Sequence, residues 1–287
     1  MTYDRKTFLK MSGLLAGGAA IGTLPFLKGC SPAQSSSQTD FGLQLYTLRD
    51  VITEDPEATL RQIADFGYNK IESYDGPMGM WWGMGNTGYK NLLDELGMTA
   101  ISSHANVFEE FERKANEAAE IGMTFIVCPW VGPQESMDDF REIAGQFNEM
   151  GEIANDLGLR FAYHNHAYSF EELEGELPQD VMMENTDPEL VEYQMDIYWV
   201  VAAGHDPAEW MQKYPGRFTT CHVKDLAPGD EPESTVLGTG SIDFTKLLPV
   251  AAEYGMEEFI VEQEVYTGTT PIDAIRDNAT YMKEFKI

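Results

Sequence analysis

The stretch TFIVCPWVGPQESMDDFREIAGQFNEMGEIANDLGLRFAYHNH, residues 124–166, contains the pattern that decides the fold. Two short apolar runs, TFIVCPW (124–130) and RFAYHNH (160–166), flank the amphipathic segment MDDFREIAGQFNEMGEIANDLG (137–158). The runs have the length of buried strands, whereas the segment between them has helical spacing and ends in glycine, as helix C-termini prefer. The stretch therefore predicts a strand–helix–strand unit with parallel strands.

The same alternation extends over the rest of the chain from residue 40. Six further strand candidates are FGLQLYT (41–47), YNKIESY (68–74), TAISSHA (99–105), VEYQMDI (191–197), FTTCHVKD (218–225) and EFIVEQE (258–264). Helix candidates such as PEATLRQIADFG, KNLLDELG and VFEEFERKANEAAEIG separate them, and Pro56 and Pro207 stand where helices are expected to begin. Eight such units predict an α/β protein with a single (β/α)8 TIM barrel domain over residues 40–287.

A doubly wound open sheet is the alternative architecture. Such a sheet usually has a glycine-rich phosphate loop after its first strand. Residues 46–50 are YTLRD, with no such loop, and the LGTG at 237–240 is expected to form a turn. The closed barrel is therefore favoured.

The first 39 residues have the organisation of an export signal and a linker. The basic start DRKTFLK (4–10) precedes an uncharged run over 11–27, and the polar stretch SPAQSSSQT (31–39) follows. We expect a signal peptide over 1–30 and a flexible linker over 31–39. The alternative, a transmembrane anchor, needs about 20 apolar residues, more than this run provides.

Two details of the signal indicate where the protein goes. DRKTFLK resembles the twin-arginine export motif, and LKGC (27–30) resembles a bacterial lipobox in which Cys30 is lipidated. We therefore expect an exported protein of a bacterium, either periplasmic or a membrane-anchored lipoprotein, whose only membrane contact is the lipid.

The charge of the chain excludes some classes of partner. Nineteen Lys and Arg stand against 48 Asp and Glu, a formal net charge of −29. Nucleic-acid binding needs a basic surface, so we expect none. The three cysteines are too few for a disulfide framework, and we expect Cys128 and Cys221 to be small buried residues within strands. The sequence leaves the oligomeric state open.

Ligand-type side chains stand near the ends of four predicted strands, where buried strands should be apolar. They are His164 with His166, Asp196, His222 with Lys224, and Glu262 with Glu264. A lone histidine in a strand usually packs in the core, but all strand ends of a barrel meet at one mouth. We predict one divalent cation per chain; mixed imidazole and carboxylate ligands suit manganese, zinc, iron or cobalt, and magnesium is kept as a candidate.

Seven pieces of the chain resemble the xylose isomerase-like barrels, a family of sugar phosphate isomerases and epimerases. They are GLQLYTLRD (42–50), IES (71–73), YHNH (163–166), MENTDPELVEYQMDIYWVVAAGHDP (183–207), HVKD (222–225), LGTGSIDF (237–244) and IVEQE (260–264). Relatives with YHNH include inosose dehydratase-like proteins and enzymes of 3-keto sugars. The resemblance implies a barrel with a metal held by His164, Asp196, His222 and Glu262.

The chain departs from many relatives on strand five, where they have Glu-Asn-His and this chain has His164-Asn165-His166. Relatives that epimerise free ketoses move the proton with two glutamates, and here the first is an imidazole. We therefore predict His166 as the base, with Glu262 and Lys224 also catalytic. Substrate contacts are predicted for Tyr46, Glu72, His104, Trp130, Trp199 and Glu264.

These observations predict a metal-dependent isomerase or epimerase that acts on an unphosphorylated keto sugar through an enediolate. Basic residues after the strands are sparse, mainly Arg49 and Lys224, which argues against a phosphate group. A cluster of rings could stack on the sugar: Trp81, Trp82, Trp130, Tyr168 and Trp199. The alternatives are a lyase or dehydratase, or a keto-glycoside-cleaving enzyme, that uses the same first step.

Two other classes share the barrel. A DNA-repair endonuclease of the AP type needs a three-zinc cluster and a basic groove, and five histidines with a charge of −29 argue against it. A noncatalytic exported sugar-binding barrel would keep the aromatic residues and lose the base residues, whereas His166, Lys224 and Glu262 are all present.

Overall fold

A computed structural model of the chain describes residues 40–229 and 231–285. The predicted signal peptide, the linker and Cys30 lie outside the described residues. Within them, no helix is both long and apolar enough to cross a bilayer.

Eight parallel strands close into a barrel, as the alternation of apolar and amphipathic segments predicts. In chain order, β1 to β8 are Gly42–Gln44, Lys70–Tyr74, Thr99–His104, Phe125–Cys128, Arg160–His164, Val191–Asp196, Phe218–Val223 and Glu258–Val261. Each strand pairs with the next one along the chain, and β8 pairs with β1, where Gly42 lies opposite Ile260. The predicted (β/α)8 barrel is confirmed.

Helices follow every strand and surround the barrel. They are α1 Pro56–Asp65, α2 Gly85–Leu96, α3 Phe111–Glu120, α4 Met137–Asp156, α5 Pro178–Asn185, α6 Ile197–Ala202, α7 Pro207–Lys213, α8 Phe244–Glu253 and α9 Pro271–Met282. Both predicted starts are confirmed, because Pro56 and Pro207 are the first residues of α1 and α7. The first N–H groups of a helix have no partner within it. Here the carboxylates of Asp55 and Asp206 accept hydrogen bonds from such N–H groups.

The loop after β7 contains a two-stranded antiparallel hairpin, Asp225–Leu226 with Ser234–Thr235. The LGTG segment that follows it forms the predicted turn, and the buried carboxylate of Asp225 fixes it. That carboxylate accepts N–H groups from Gly238, Gly240 and Ile242 at 2.9, 3.0 and 3.2 Å. Asp225 therefore holds the backbone next to Lys224 in place.

Most strands end earlier than their apolar runs predict, because the chain turns out of the ladder at the barrel mouth. β1 stops at Gln44, whose side chain accepts the N–H of Tyr46 and starts a 3₁₀ helix over Leu45–Leu48. β5 stops at His164, and His166 begins a 3₁₀ turn over Ala167–Phe170. The predicted fifth strand, 160–166, therefore ends two residues early, and His166 lies in the loop that follows it.

Successive strand residues alternate between two apolar regions, as the period of a strand requires. The larger one lies between strands and helices and includes Cys128 and Cys221, which are buried free thiols as predicted. The smaller one fills the inside of the barrel with residues from four strands: Ile101, Phe125, Val127, Ala162 and Ile260. The remaining inward positions, including Gln44, Glu72 and Gln194, are polar and buried.

Helix α4 packs closely against the chain before β6. A Cβ atom added at Gly151 would lie 2.5 Å from the carbonyl oxygen of Leu190, closer than any real contact. We expect Gly151→Ala to lower the free energy of unfolding by ~1–3 kcal/mol, because the helix has to shift away from its neighbour.

The matched control is Gly145→Ala in the same helix, where an added Cβ meets no atom within 4 Å. The free energy of unfolding of this variant should rise by ~0.5–1 kcal/mol, the usual preference of a helix for alanine over glycine. Urea denaturation measures both values, and an equal effect of the two substitutions would contradict the close packing.

Candidate metal centre and active site

The polar strand ends meet at one mouth of the barrel, around a cavity of about 800 Å³. All eight parallel strands point their carboxyl ends to this mouth, where the loops after the strands gather. Eight of the predicted site residues line the cavity: Tyr46, His104, Trp130, His164, His166, Trp199, Glu262 and Glu264. The other four, Glu72, Asp196, His222 and Lys224, are buried and do not line it.

Four predicted ligand residues from four different strands come together at the base of the cavity. Oδ2 of Asp196 lies 3.8 Å from both Nε2 of His164 and Nδ1 of His222. Oε2 of Glu262 lies 3.0 Å from the same nitrogen of His222. Ligand atoms of Asp196, His222 and Glu262 all lie within 4.8 Å of one another, so a single cation could contact all three.

The orientation of His222 is fixed from behind by a carboxylate. Its Nε2 donates a hydrogen bond of 2.6 Å to Oε1 of Glu72, which turns Nδ1 toward Asp196 and Glu262. Burial by itself lowers the pKa of His222, but the charges of Glu262 and Glu72 raise it well above its usual value. The position thus attracts positive charge, and a carboxylate behind a ligating imidazole is a common feature of metal sites.

Gln194 fixes His164 in the same way. Its Nε2 donates to Oε2 of Glu72 at 2.8 Å, so its Oε1 is left to accept hydrogen bonds. Nε2 of His104 and Nδ1 of His164 donate to that oxygen at 2.7 and 3.0 Å. The second nitrogen of His164 consequently faces Asp196.

Glu72 lies at the centre of this arrangement, and its predicted contact with a sugar is corrected. Both carboxylate oxygens are used: Gln44 donates to Oε1 at 2.7 Å beside His222, and Ser102 donates to Oε2 at 2.6 Å beside Gln194. Burial alone raises the pKa of Glu72, but the adjacent imidazoles and the hydrogen bonds lower it to about 2. The residue is fully buried and does not line the cavity.

Lys224 is the buried counter-charge of the acidic residues. Its Nζ lies 3.4 Å from Asp196 and 3.2 Å from Glu262, and it also contacts Glu264. Burial lowers the pKa of Lys224, but these carboxylates raise it above its ordinary value, so the side chain is a fixed ammonium. A proton-accepting role is therefore not open to it, and the charge-stabilising role stays a prediction.

His166 lies between the ligand residues and the opening of the cavity. Its ring is 4.9 Å from that of His164 and is surrounded by Trp130, Tyr168 and Trp199. Burial lowers the pKa of His166 to about 4, which leaves the ring neutral near pH 7. Its Nδ1 has no hydrogen-bond partner among the described residues. A neutral imidazole that lines the cavity can accept a proton.

Two of the five rings expected to stack on a sugar do not reach the cavity. Trp81 and Trp82 are buried in the outer core, where their indole N–H groups donate to Glu117 and Ser73. Both rings therefore pack in the core, although the loop that carries them follows the end of β2. Trp130, Tyr168 and Trp199 do line the cavity.

Two glutamines that fix the site, Gln44 and Gln194, were missed by sequence reasoning. The signal for them is a polar residue inside an otherwise apolar strand, since both are fully buried. Gln194 also precedes Asp196 by two residues, the spacing of side chains on one face of a strand.

The chemistry of the donors fits a divalent cation. Two imidazoles, each with one nitrogen held by a buried acceptor, and two carboxylates converge from four strands. Three carboxylates, those of Asp196, Glu262 and Glu264, surround the single ammonium of Lys224, so negative charge is in excess here. A bound cation would offset this excess.

A family model described as xylose isomerase-like TIM barrel matches residues 60–285. The chain belongs to the xylose isomerase-like TIM barrel family, and its barrel and inward-facing polar residues agree with that assignment. The family acts on sugars, and its members include isomerases, epimerases and dehydratases.

Three relatives show how similar known members are. The chain is 28% identical over 166 residues to an inosose dehydratase of Clostridium botulinum, a match that covers 51% of this chain and 55% of that one. The chain thus spans about half the length of the curated relatives it matches. A crystal structure of a sugar phosphate isomerase/epimerase from Parabacteroides distasonis has a TM-score of 0.74 at 28% identity, covering 91% of this chain and 98% of that chain.

The third relative shows the fold alone. It is the IOLI protein with a bound zinc atom, with a TM-score of 0.67 at 15% identity, covering 84% of this chain and 96% of that one.

The hydrogen bonds around Glu72 give a prediction that is independent of any ligand. We expect Glu72→Gln to lower the free energy of unfolding by ~2–4 kcal/mol, because an amide N–H₂ would face donors that now share a carboxylate. Urea denaturation measures the change. The control is Glu57→Gln, which removes one charge of an exposed ion pair with Arg61. It should lower the free energy of unfolding by less than ~1 kcal/mol. An equal, small effect of both substitutions would contradict a central role of Glu72.

Proposed function

We propose that the protein is a metal-dependent isomerase or epimerase that acts on an unphosphorylated keto sugar. One observation carries the proposal: His164, Asp196, His222 and Glu262 converge at the base of the cavity with their imidazole orientations fixed by Gln194 and Glu72. Packing alone gives no reason to bury four such side chains together.

These four residues would hold one divalent cation. When bound, the cation would act as a Lewis acid that stabilises negative charge on the oxygen atoms of the sugar. A solved structure of the same fold holds a zinc atom, which supports a divalent cation in this barrel. Manganese, zinc, iron, cobalt and magnesium all remain candidates, because the mixed ligand set does not select among them.

His166 is the proposed base. Its imidazole, which lines the cavity, would take the proton from the carbon next to the carbonyl, and the electron pair of that C–H bond would move toward the carbonyl oxygen. Return of the proton to the other face or to the neighbouring carbon gives an epimer or an isomer. Lys224 would hold positive charge nearby, in contact with Glu262 and Glu264, which line the same cavity as His166.

The lining of the cavity supports a substrate without phosphate. Among the described residues, no Lys or Arg lines the cavity, whereas Asp75, Glu262 and Glu264 do. A phosphate group needs cationic donors or helix N-termini, and these acids would repel it.

A second candidate is a lyase that eliminates water or a glycosidic substituent after the same proton removal. The observation that favours it is the similarity to inosose dehydratases. His164 also stands where the two-glutamate epimerases have their first carboxylate, so a symmetric transfer between two carboxylates is not available. A noncatalytic sugar-binding barrel would bind sugar and exchange no proton.

The metal site can be tested by metal analysis of purified protein. We expect about one divalent ion per chain in the wild type and less than ~10% of that amount in His222→Ala, because the variant loses a ligand between two carboxylates. The control His205→Ala removes a histidine that bonds only to the carbonyl of Phe170 and should retain the ion. Thermal unfolding of all three proteins checks that each is folded. A metal-free wild type would contradict the proposal.

The proton-transfer step can be tested in D2O with a panel of keto sugars. We expect deuterium to enter a carbon next to the carbonyl of at least one sugar, and His166→Ala to slow this exchange by ~100-fold or more. The products of the same reaction, read by NMR, separate an isomer from a dehydrated compound. Phosphorylated versions of the active sugar should exchange more slowly, and faster exchange by them would contradict the unphosphorylated substrate.

A further inference from the structure

The outer wall of the cavity is made of exposed aromatic side chains. Four large apolar side chains in the described part of the chain are exposed: Tyr46 (38%), Met78 (40%), Phe108 (46%) and Trp130 (52%). Three of the four, all except Met78, line this one cavity. Exposed apolar surface is costly for a soluble protein, and its concentration at one opening is typical of a binding site.

Other rings hold these three side chains in their exposed positions. Trp130 stands edge-to-face on His166 and Tyr168, with ring centroids 4.6 and 4.8 Å apart. Tyr46 stands edge-to-face on Tyr74 at 5.3 Å.

Phe108 is supported by Phe147, whose ring lies 6.4 Å away at an angle of 27°. The three exposed rings belong to the loops after β1, β3 and β4, so they approach the opening from three separate strands. They form a prearranged rim.

The rim and the proposed catalytic residues occupy different depths of the cavity. Glu262 and His164 are buried at its base, whereas Tyr46, Phe108 and Trp130 are exposed at its opening. The volume of about 800 Å³ lies in the upper part of the ~300–1,000 Å³ that is usual for cavities enclosing drug-sized ligands. A single sugar ring held at the base would leave the rim without a partner.

We propose that Tyr46, Phe108 and Trp130 form a second subsite, which binds a ring attached to the sugar. The substrate is then a glycoside of the keto sugar whose substituent has a flat apolar face, either an aromatic ring or the C–H face of a second sugar. The inference rests on the proposed function insofar as the first sugar lies at the base of the cavity. Among the described residues no Lys or Arg lines the cavity, so its lining offers no cationic side chain to an anionic substituent.

Isothermal titration of the whole protein with matched glycosides tests the subsite. The probes are the methyl and phenyl β-glycosides of glucose, galactose, mannose and xylose, with cellobiose and lactose as sugar-on-sugar counterparts. We expect at least one phenyl glycoside or disaccharide to bind about tenfold more tightly than its methyl partner, because only the former reaches the rim. Preference for the phenyl compound indicates an aromatic substituent, and preference for the disaccharide indicates a second sugar.

Variants of the rim assign the preference to its residues. Phe108→Ala should remove most of the preference while the affinity for the methyl glycoside stays unchanged, and Trp130→Ala should lower the preference as well. Met78→Ala, an equally exposed apolar residue outside the cavity, is the matched control and should retain it. If no probe binds more tightly than its methyl partner, or if nothing binds, the subsite is overturned. A loss of affinity for methyl and phenyl compounds alike would also overturn it.

The subsite and the proposed function can fail separately. His222→Ala removes a proposed metal ligand and leaves the rim intact, so the ratio of phenyl to methyl affinity should persist in this variant. A preference that depends on Trp130 in a protein without metal would refute the proposed function and support the subsite. A loaded metal site with equal affinity for both glycosides would refute the subsite alone.

Discussion

The site depends on one buried carboxylate. Glu72 accepts hydrogen bonds from Gln44, Ser102, Gln194 and His222, four groups that come from four strands. Through two of them it decides which nitrogen of His222 and of His164 faces the acids at the base of the cavity. An ionised carboxylate can only accept hydrogen bonds, so each neighbouring donor has a single permitted orientation. The orientations of the side chains in the site are therefore fixed by hydrogen bonds within the strands and not by the loops that surround the opening of the cavity.

The same arrangement concentrates negative charge in a place with little water. Asp196, Glu262 and Glu264 surround Lys224, and the pKa of His222 is raised although burial lowers it. Replacing such a cluster with apolar residues would often stabilise a protein, so its presence is better explained by function than by stability. A cation bound to the cluster would relieve the repulsion between its carboxylates.

Strand residues and loop residues form different parts of the cavity in this barrel. Side chains within or directly after the strands form the base of the cavity, and loop residues such as Phe108 and Trp130 form its rim. Strand positions are fixed to the precision that proton transfer and metal binding need, whereas loop positions can change without disturbing the barrel. The proposed proton transfer and metal site accordingly lie at the base of the cavity, and the proposed second subsite lies at its rim.

The sequence by itself determined the closed barrel and most members of the site, because short apolar runs, amphipathic segments and ligand-type residues at strand ends are local features. It identified His164, Asp196, His222 and Glu262 as one group, since strand ends of a barrel converge by topology alone. It could not place Glu72 below the site, exclude Trp81 and Trp82 from the cavity, or find Gln44 and Gln194. Those outcomes depend on which side chains pair across strands and on how far the chain turns after each strand. Only the tertiary structure decided them, because hydrogen bonds between residues 28 to 150 positions apart leave no pattern along the chain.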